Sequence, residues 1–208
     1  MPEDNQQART VVLATRNQGK LREMRDLLEP HGFRVLPVSD FDDVDVAETA
    51  STFVENALIK ARAAATVSGL PAIADDSGLE VDALGGAPGV RSARYAGDSA
   101  SDESNVARLL DALAGVRGGA RSARFRCVAV YLAHPQHPTP VIREGRWDGL
   151  VLEAPRGHGG FGYDPVFLDP GTGLSAAELD PAEKNRRSHR GQAVSALAAA
   201  LAQSGVAA

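Results

Sequence analysis

The apolar run Val11-Val12-Leu13-Ala14 passes directly into Thr15-Arg16-Asn17-Gln18-Gly19-Lys20 and then into a helix pattern. A short strand that empties into a polar, glycine-containing turn and then a helix points to an α/β fold with a ready-made anion site. Backbone N–H groups at a helix start face outward and carry partial positive charge. Asn17 adds an amide donor, Gly19 lets the backbone come close, and Lys20 brings a full charge. Leu21, Met24, Leu27 and Leu28 share one helical face, and Pro30 followed by Gly32 predicts the stop. The turn is not a Walker A loop, which needs a longer glycine spacing and Ser or Thr after the lysine. Taken alone, it reads equally well as an ordinary strand-to-helix turn with a solvated lysine.

The rest of the chain alternates strand and helix signals. Phe33 to Val38 alternates like a strand, and Ser39 to Ala50 is acidic and loop-like. Thr52 and Glu55 have capping-box spacing, so a helix starts there, with Leu58, Ala61 and Ala65 on its small-residue face and Gly69 at its end. Ala72 to Ala74 reads as a short buried strand. Asp102 to Leu113 is a helix with acids in its first turn. Ser122 to Leu132 and Val141 to Leu152 suggest an antiparallel pair, which makes the sheet mixed rather than doubly wound. A short strand at Val166 to Leu168, an Asp180 cap ahead of Pro181, and an alanine-rich helix from Gly191 to Gln203 complete the pattern. Residues 1–9 read as a flexible arm and residues 10–208 as a single domain.

Bulk properties exclude several classes. With 22 basic and 27 acidic residues the net charge is −5, which argues against a general nucleic-acid binder. Cys127 is the only cysteine, so no internal disulfide forms, and its apolar strand context predicts a buried inert thiol. Neither a secretory signal nor a membrane-length apolar run is visible, and a cytoplasmic setting is the expectation.

Chemistry-bearing residues fall in a few segments. Asp75-Asp76-Ser77-Gly78 follows the short apolar strand, and adjacent strand residues face opposite sides, so one acid enters a given site. Glu48-Thr49 lies in the acidic loop. Gly157-His158-Gly159-Gly160-Phe161-Gly162-Tyr163-Asp164 is a glycine loop with two aromatics; a ring there stacks on a base or plugs the core. Asp164 either accepts from a ligand or caps the turn at Pro165. Lys184 and Ser188-His189-Arg190-Gly191 lie near the C-terminus; Lys184, His189 and Arg190 are donors, while the cluster Arg186, Arg187, His189 and Arg190 also reads as a solvated basic patch.

Together with Thr52-Phe53-Val54-Glu55-Asn56-Ala57, Gly85-Gly86-Ala87-Pro88-Gly89-Val90 and Ser92-Ala93-Arg94-Tyr95, these segments resemble the inosine triphosphate pyrophosphatase (Ham1-like) family. The resemblance runs from about Val11 to Leu201. It implies an elongated mixed sheet flanked by helices, two lobes with the active site in the cleft between them, and a homodimer. It also implies Mg²⁺-dependent hydrolysis of deaminated purine triphosphates (ITP, dITP, XTP) to the monophosphate and pyrophosphate, cleansing the nucleotide pool.

The resemblance selects Asp76 as catalytic residue and, with Glu48, as metal ligand. Thr15, Arg16, Asn17, Gln18, Gly19, Lys20 and Lys60 match the phosphate side of the substrate set. Ser77, Phe161, Gly162, Tyr163, Asp164, Lys184, His189 and Arg190 complete it. Arg16 departs from the family, whose members often have glycine there, and either adds a phosphate contact or points to solvent. Hypoxanthine and xanthine carry a carbonyl where adenine carries an amine, so a pocket of N–H donors accepts them and faces adenine with unpaired donors. The rival readings are a Maf-like nucleotide pyrophosphatase, a catalytically silent nucleotide sensor that dispenses with Glu48 and Asp76, and a generic fold with surface acids.

Overall fold

The structure, a computed structural model, describes residues 9–42 and 46–203. In chain order it contains β1 (Arg9–Leu13), α1 (Gln18–Leu28), β2 (Phe33–Pro37), α2 (Phe53–Ser68), β3 (Ala72–Val81) and α3 (Asp102–Ala112). There follow β4 (Ser122–Leu132), β5 (Val141–Val151), β6 (Phe167–Asp169), β7 (Leu174–Ser175), α4 (Pro181–Arg187) and α5 (His189–Gln203). Seven strands form one sheet in the order β2-β1-β3-β4-β5-β6-β7. β1 runs parallel to both β2 and β3, with Val11 opposite Val35 and Val12 opposite Ala72. β5–β6 and β6–β7 are antiparallel, with Leu150 opposite Leu168 and Asp169 opposite Leu174. The sheet is therefore mixed, as the long runs now seen as neighbours β4 and β5 suggested.

Local chemistry sets the helix boundaries. Asn17 caps α1 by accepting from the Lys20 N–H at 3.0 Å, and Gly32 takes the left-handed conformation after the expected stop. Thr52 caps α2, accepting from Glu55 N while its hydroxyl donates to the Glu55 carboxylate at 2.6 Å, a variant of the expected capping box. Asp180 caps α4 ahead of Pro181 as expected.

Several boundaries differ from the sequence expectation. Arg9 belongs to β1 rather than to an arm, and the other arm positions, residues 1–8, lie outside the described residues. β3 does not end at Ala74 but continues through both aspartates to Val81. Acids normally mark a strand end because burying them is costly, but here each meets a lysine. α5 begins at His189, ahead of Gly191, because the Ser188 hydroxyl accepts from the Gly191 N–H. β7 is too short for its alternation to register in sequence.

By contact the chain divides into two compact units. Among the described residues the first holds 9–42, 46–76, 128–144 and 193–203; the second holds 77–127 and 145–192. In the first, the alanine face of α2 (Ala57, Ala61, Ala64, Ala65) packs in clusters with Val12, Ala72, Ala74, Val128, Val130 and Leu132. Small side chains let the helix lie close on the strands, and each fully buried Val or Leu contributes about 1.5–3 kcal/mol. In the second unit, Leu79, Leu109, Phe125, Trp147 and Phe167 anchor one apolar cluster. Cys127 is buried and free, as its strand context predicted. Among the described residues no helix is long and apolar enough to cross a membrane.

Candidate active site

The first unit gathers charge where β1 and β3 meet the starts of α1 and α2. Thr15 accepts from the Asn17 N–H at 3.3 Å, and Gln18 and Gly19 open α1, so the turn is fixed by its own side chains. Lys20 places its ammonium 3.2 Å from Asp75. Arg16 donates to the Asp42 carbonyl at 2.8 Å, so in this structure it secures the acidic loop.

Asp76 is 5% exposed and faces α2. It accepts from Lys60 Nζ at 3.0 Å and from the Asn56 amide at 3.2 Å. The same Lys60 ammonium lies 2.6 Å from Glu48, so two carboxylates from separate segments converge on one cation position. Asp75 and Asp76 thus engage different helices, as the alternation of a strand requires.

At the start of α2, Asn56 looks in sequence like part of the capping chemistry around Thr52 and Glu55. It is instead a buried tie. Its Oδ1 accepts from the Ala50 N–H at 3.0 Å while its amide nitrogen donates to Asp76, joining the loop that carries Glu48 to β3. The available signal was an asparagine beside the small-residue face of α2.

The electrostatics follow from this packing. Burial pushes the Asp76 carboxyl above its ordinary range, against the pull of Lys60 and Lys20, with Glu48 adding to the rise. Burial alone would lower the Lys60 ammonium, but Asp76, Asp75 and Glu48 outweigh it and hold it above its usual value. A further cation near Asp76 would oppose that rise, and the three carboxylates around Lys60 favour its charged form.

The second unit gathers the glycine loop and the α4–α5 corner. Phe161 lies against two cations, Lys184 Nζ at 5.0 Å and Arg190 Cζ at 5.5 Å from its ring centre. Asp164 is buried and accepts from both the Phe161 N–H (2.9 Å) and Lys184 (2.6 Å). Lys184, His189 and Arg190 are all buried, which excludes the solvated-patch reading for His189 and Arg190. Gly160 is needed here: its φ is +74°, and a Cβ would stand 2.1 Å from the Asp164 carboxylate. Arg190 is buried and donates to the Ser77 hydroxyl at 3.0 Å. His189 stacks on Phe125, ring centres 4.6 Å apart and 8° from parallel. Gly191 lets the corner close, since a Cβ there would meet the Asn185 carbonyl at 1.6 Å.

Tyr163 has the other of its two expected fates. It plugs the core, its hydroxyl donating to the Ser92 carbonyl at 2.8 Å, and burial raises its pKa. Its place does not suit stacking on a ligand. Phe125 and Ser92 were missed as supports of the site because an aromatic in a strand and a serine in a loop carry no periodic signal. Gly162 donates its N–H to Asp102 at 2.7 Å.

A buried aspartate and a partly exposed glutamate sharing a lysine, beside a helix-start turn in an α/β protein, are donors of the kind that suit polyphosphate and cation chemistry. Comparison with known proteins agrees. The model of the Ham1 family matches residues 11–200, and the chain belongs to that family. It is similar to a dITP/XTP pyrophosphatase of Methylococcus capsulatus, 60% identical over 193 residues, covering 93% of this chain and 96% of the relative. A dITP/XTP pyrophosphatase of Vibrio parahaemolyticus is 56% identical, with 92% and 96% covered. Among solved structures, a HAM1 protein from Coxiella burnetii superposes with a TM-score of 0.85 at 48% identity, covering 93% of this chain and 98% of the other.

Proposed function

We propose that this chain is a dITP/XTP pyrophosphatase, a hydrolase that adds water across the α–β phosphoanhydride of deaminated purine triphosphates and releases the monophosphate and pyrophosphate. The observation that carries the reading is the convergence of Glu48 and Asp76 on the one cation position held by Lys60. A nucleotide sensor or a generic fold gives no reason to bring that set together.

The donor set fits a divalent metal. Among the described residues no group of three or more His, Cys, Asp or Glu side chains forms a cage. Magnesium asks for no cage: one or two carboxylates suffice, with substrate oxygens and waters completing the shell. Glu48 and Asp76 would hold Mg²⁺, which when bound supplies neutralisation of phosphate charge and polarisation of water.

This chain's own residues do the remaining work. Asp76 takes the proton from the attacking water onto a carboxylate oxygen, a task suited by its raised pKa. Lys20, Lys60 and the N–H groups at the start of α1 hold the triphosphate. Phe161 offers a ring face to the purine, and Lys184, His189 and Arg190 offer donors to its carbonyl. Positioning and electrostatics then supply most of the acceleration. The family resemblance also implies a homodimer, which sedimentation of the purified chain tests.

The deciding experiment is a panel of purine and pyrimidine triphosphates with and without Mg²⁺, scored for pyrophosphate. Release from ITP, dITP and XTP that vanishes with chelator is expected. Equal rates on all bases, or orthophosphate in place of pyrophosphate, would overturn the reading.

A further inference from the structure

We infer that Asp102 is a positioning residue for base recognition: its carboxylate holds the glycine loop that carries Phe161. The inference rests on the proposed reading in one respect, that Phe161 meets the base.

From sequence, Asp102 is a first-turn acid of α3, placed there for the helix dipole. The structure assigns it a second task. The α3 cap is Ser101, which accepts from the Ser104 N–H at 3.2 Å. The Asp102 carboxylate is turned across to the loop and accepts from the Gly162 N–H at 2.7 Å. The N–H on the other side of Phe161, its own, goes to Asp164 at 2.9 Å. The consecutive N–H groups of Phe161 and Gly162 are thus each held by a carboxylate, one backed by Lys184 and one projecting from α3.

Hydrogen bonds matter more here than packing. A cavity of about 450 Å³ borders the loop, lined among others by Val106, Leu110, His158, Gly160 and Phe161. Side chains do not fill that space, and Gly157, Gly160 and Gly162 all have positive φ and little resistance to moving. The Gly159 N–H bonds the Ala177 carbonyl at 3.1 Å, which fixes the loop's near end. Its far end is anchored by the buried Tyr163, and the stretch beside the ring by Asp164 and Asp102. An ionised acceptor makes the stronger class of such bonds. Without the Asp102 carboxylate the peptide after Phe161 keeps only the tie of its carbonyl to the Asp164 N–H at 3.2 Å, and the ring's relation to Lys184 and Arg190 loosens.

The test compares Asp102→Ser with Asp102→Asn. Serine is accepted at helix starts but is too short to reach Gly162, whereas asparagine keeps a carbonyl acceptor of the same reach. Three quantities are read: amide hydrogen exchange in the 157–163 segment, KM for ITP, and the inhibition constant of inorganic triphosphate, a competitor without a base. Asp102→Ser is expected to speed exchange at Gly162 and raise KM for ITP about three- to tenfold, the range for one lost hydrogen bond. The inhibition constant of inorganic triphosphate should stay unchanged, and Asp102→Asn should restore most of both losses. Unchanged exchange in Asp102→Ser would overturn the anchoring. A parallel rise for ITP and inorganic triphosphate would show a scaffold effect and overturn the link to the base. If the wild-type chain fails to hydrolyse ITP, the proposed function falls, and the exchange measurement still decides whether Asp102 holds the loop.

Discussion

Replacing Asp76 by asparagine separates chemistry from folding. The side chain keeps its shape, and its oxygen still accepts from Lys60 or Asn56, now at 3.0 and 3.2 Å. Lys60 retains Glu48 at 2.6 Å, so no buried cation is stranded. The carboxylate being removed is one that burial disfavours in its charged form. The new NH₂ group faces the other donor, so unfolding free energy at neutral pH should fall by about 1–3 kcal/mol, below the roughly 3–5 kcal/mol of a broken buried pair. Turnover loses both a proton acceptor and half of the carboxylate set. A positioned general base alone is worth roughly 10²–10⁴-fold, so kcat on ITP should fall at least about a hundredfold. Pyrophosphate release and denaturant unfolding, measured on the same preparation, give the two numbers. A kcat within about threefold of wild type, with the fold intact, would refute the assignment of Asp76.

Asp75→Asn loosens the Lys20 ammonium instead, and is expected to raise KM for every triphosphate with a smaller effect on kcat; loss of kcat matching that of Asp76→Asn would reverse the two roles. Arg190→Met keeps the bulk in a buried position but removes the donor, so specificity constants for ITP and XTP should fall about ten- to hundredfold while ATP barely moves. A uniform drop across bases would place Arg190 in the scaffold. The raised Asp76 pKa also sets a pH trend. A raised carboxyl stabilises the fold below its unfolded pKa, and that contribution is lost as pH rises through the folded value. The stability of wild type relative to Asp76→Asn should accordingly decline as pH climbs out of the ordinary carboxylate range, and a rising difference in parallel thermal melts would contradict the shift.

Much of this architecture was legible because it is written in local rules. The Asn17 cap, the Thr52–Glu55 pair, the Asp180–Pro181 start and the long runs of β4 and β5 each depend on residues within a few positions of one another. The failures share a different cause. Aspartates inside a strand look like a strand end until Lys20 and Lys60 arrive from α1 and α2. Asn56 looks like a cap until Asp76, twenty residues on, needs a donor. Phe161 and Tyr163 look equivalent in the loop, and only the Ser92 carbonyl, 71 residues away, shows which ring belongs to the core. Polar pairings across long sequence separation leave no periodicity.

Those same long-range pairings explain where the fold tolerates charge that a purely structural protein would avoid. Asp75, Asp76, Lys60, Asp164 and Lys184 are each withdrawn from water, and a buried ion pair often contributes no more than an apolar pair of similar volume. The alanine face of α2 and the aromatic cluster around Phe125 supply the stability that these charges do not. The arrangement is better understood as preorganisation. Lys60 holds Glu48 and Asp76 at one point, and Asp164 with Lys184 holds the Phe161 amide, so little rearrangement is left for the moment of reaction. Substituting the charged set with apolar residues of matching volume should then be tolerated by the fold, or even stabilise it, while abolishing turnover, the usual exchange between stability and a working site.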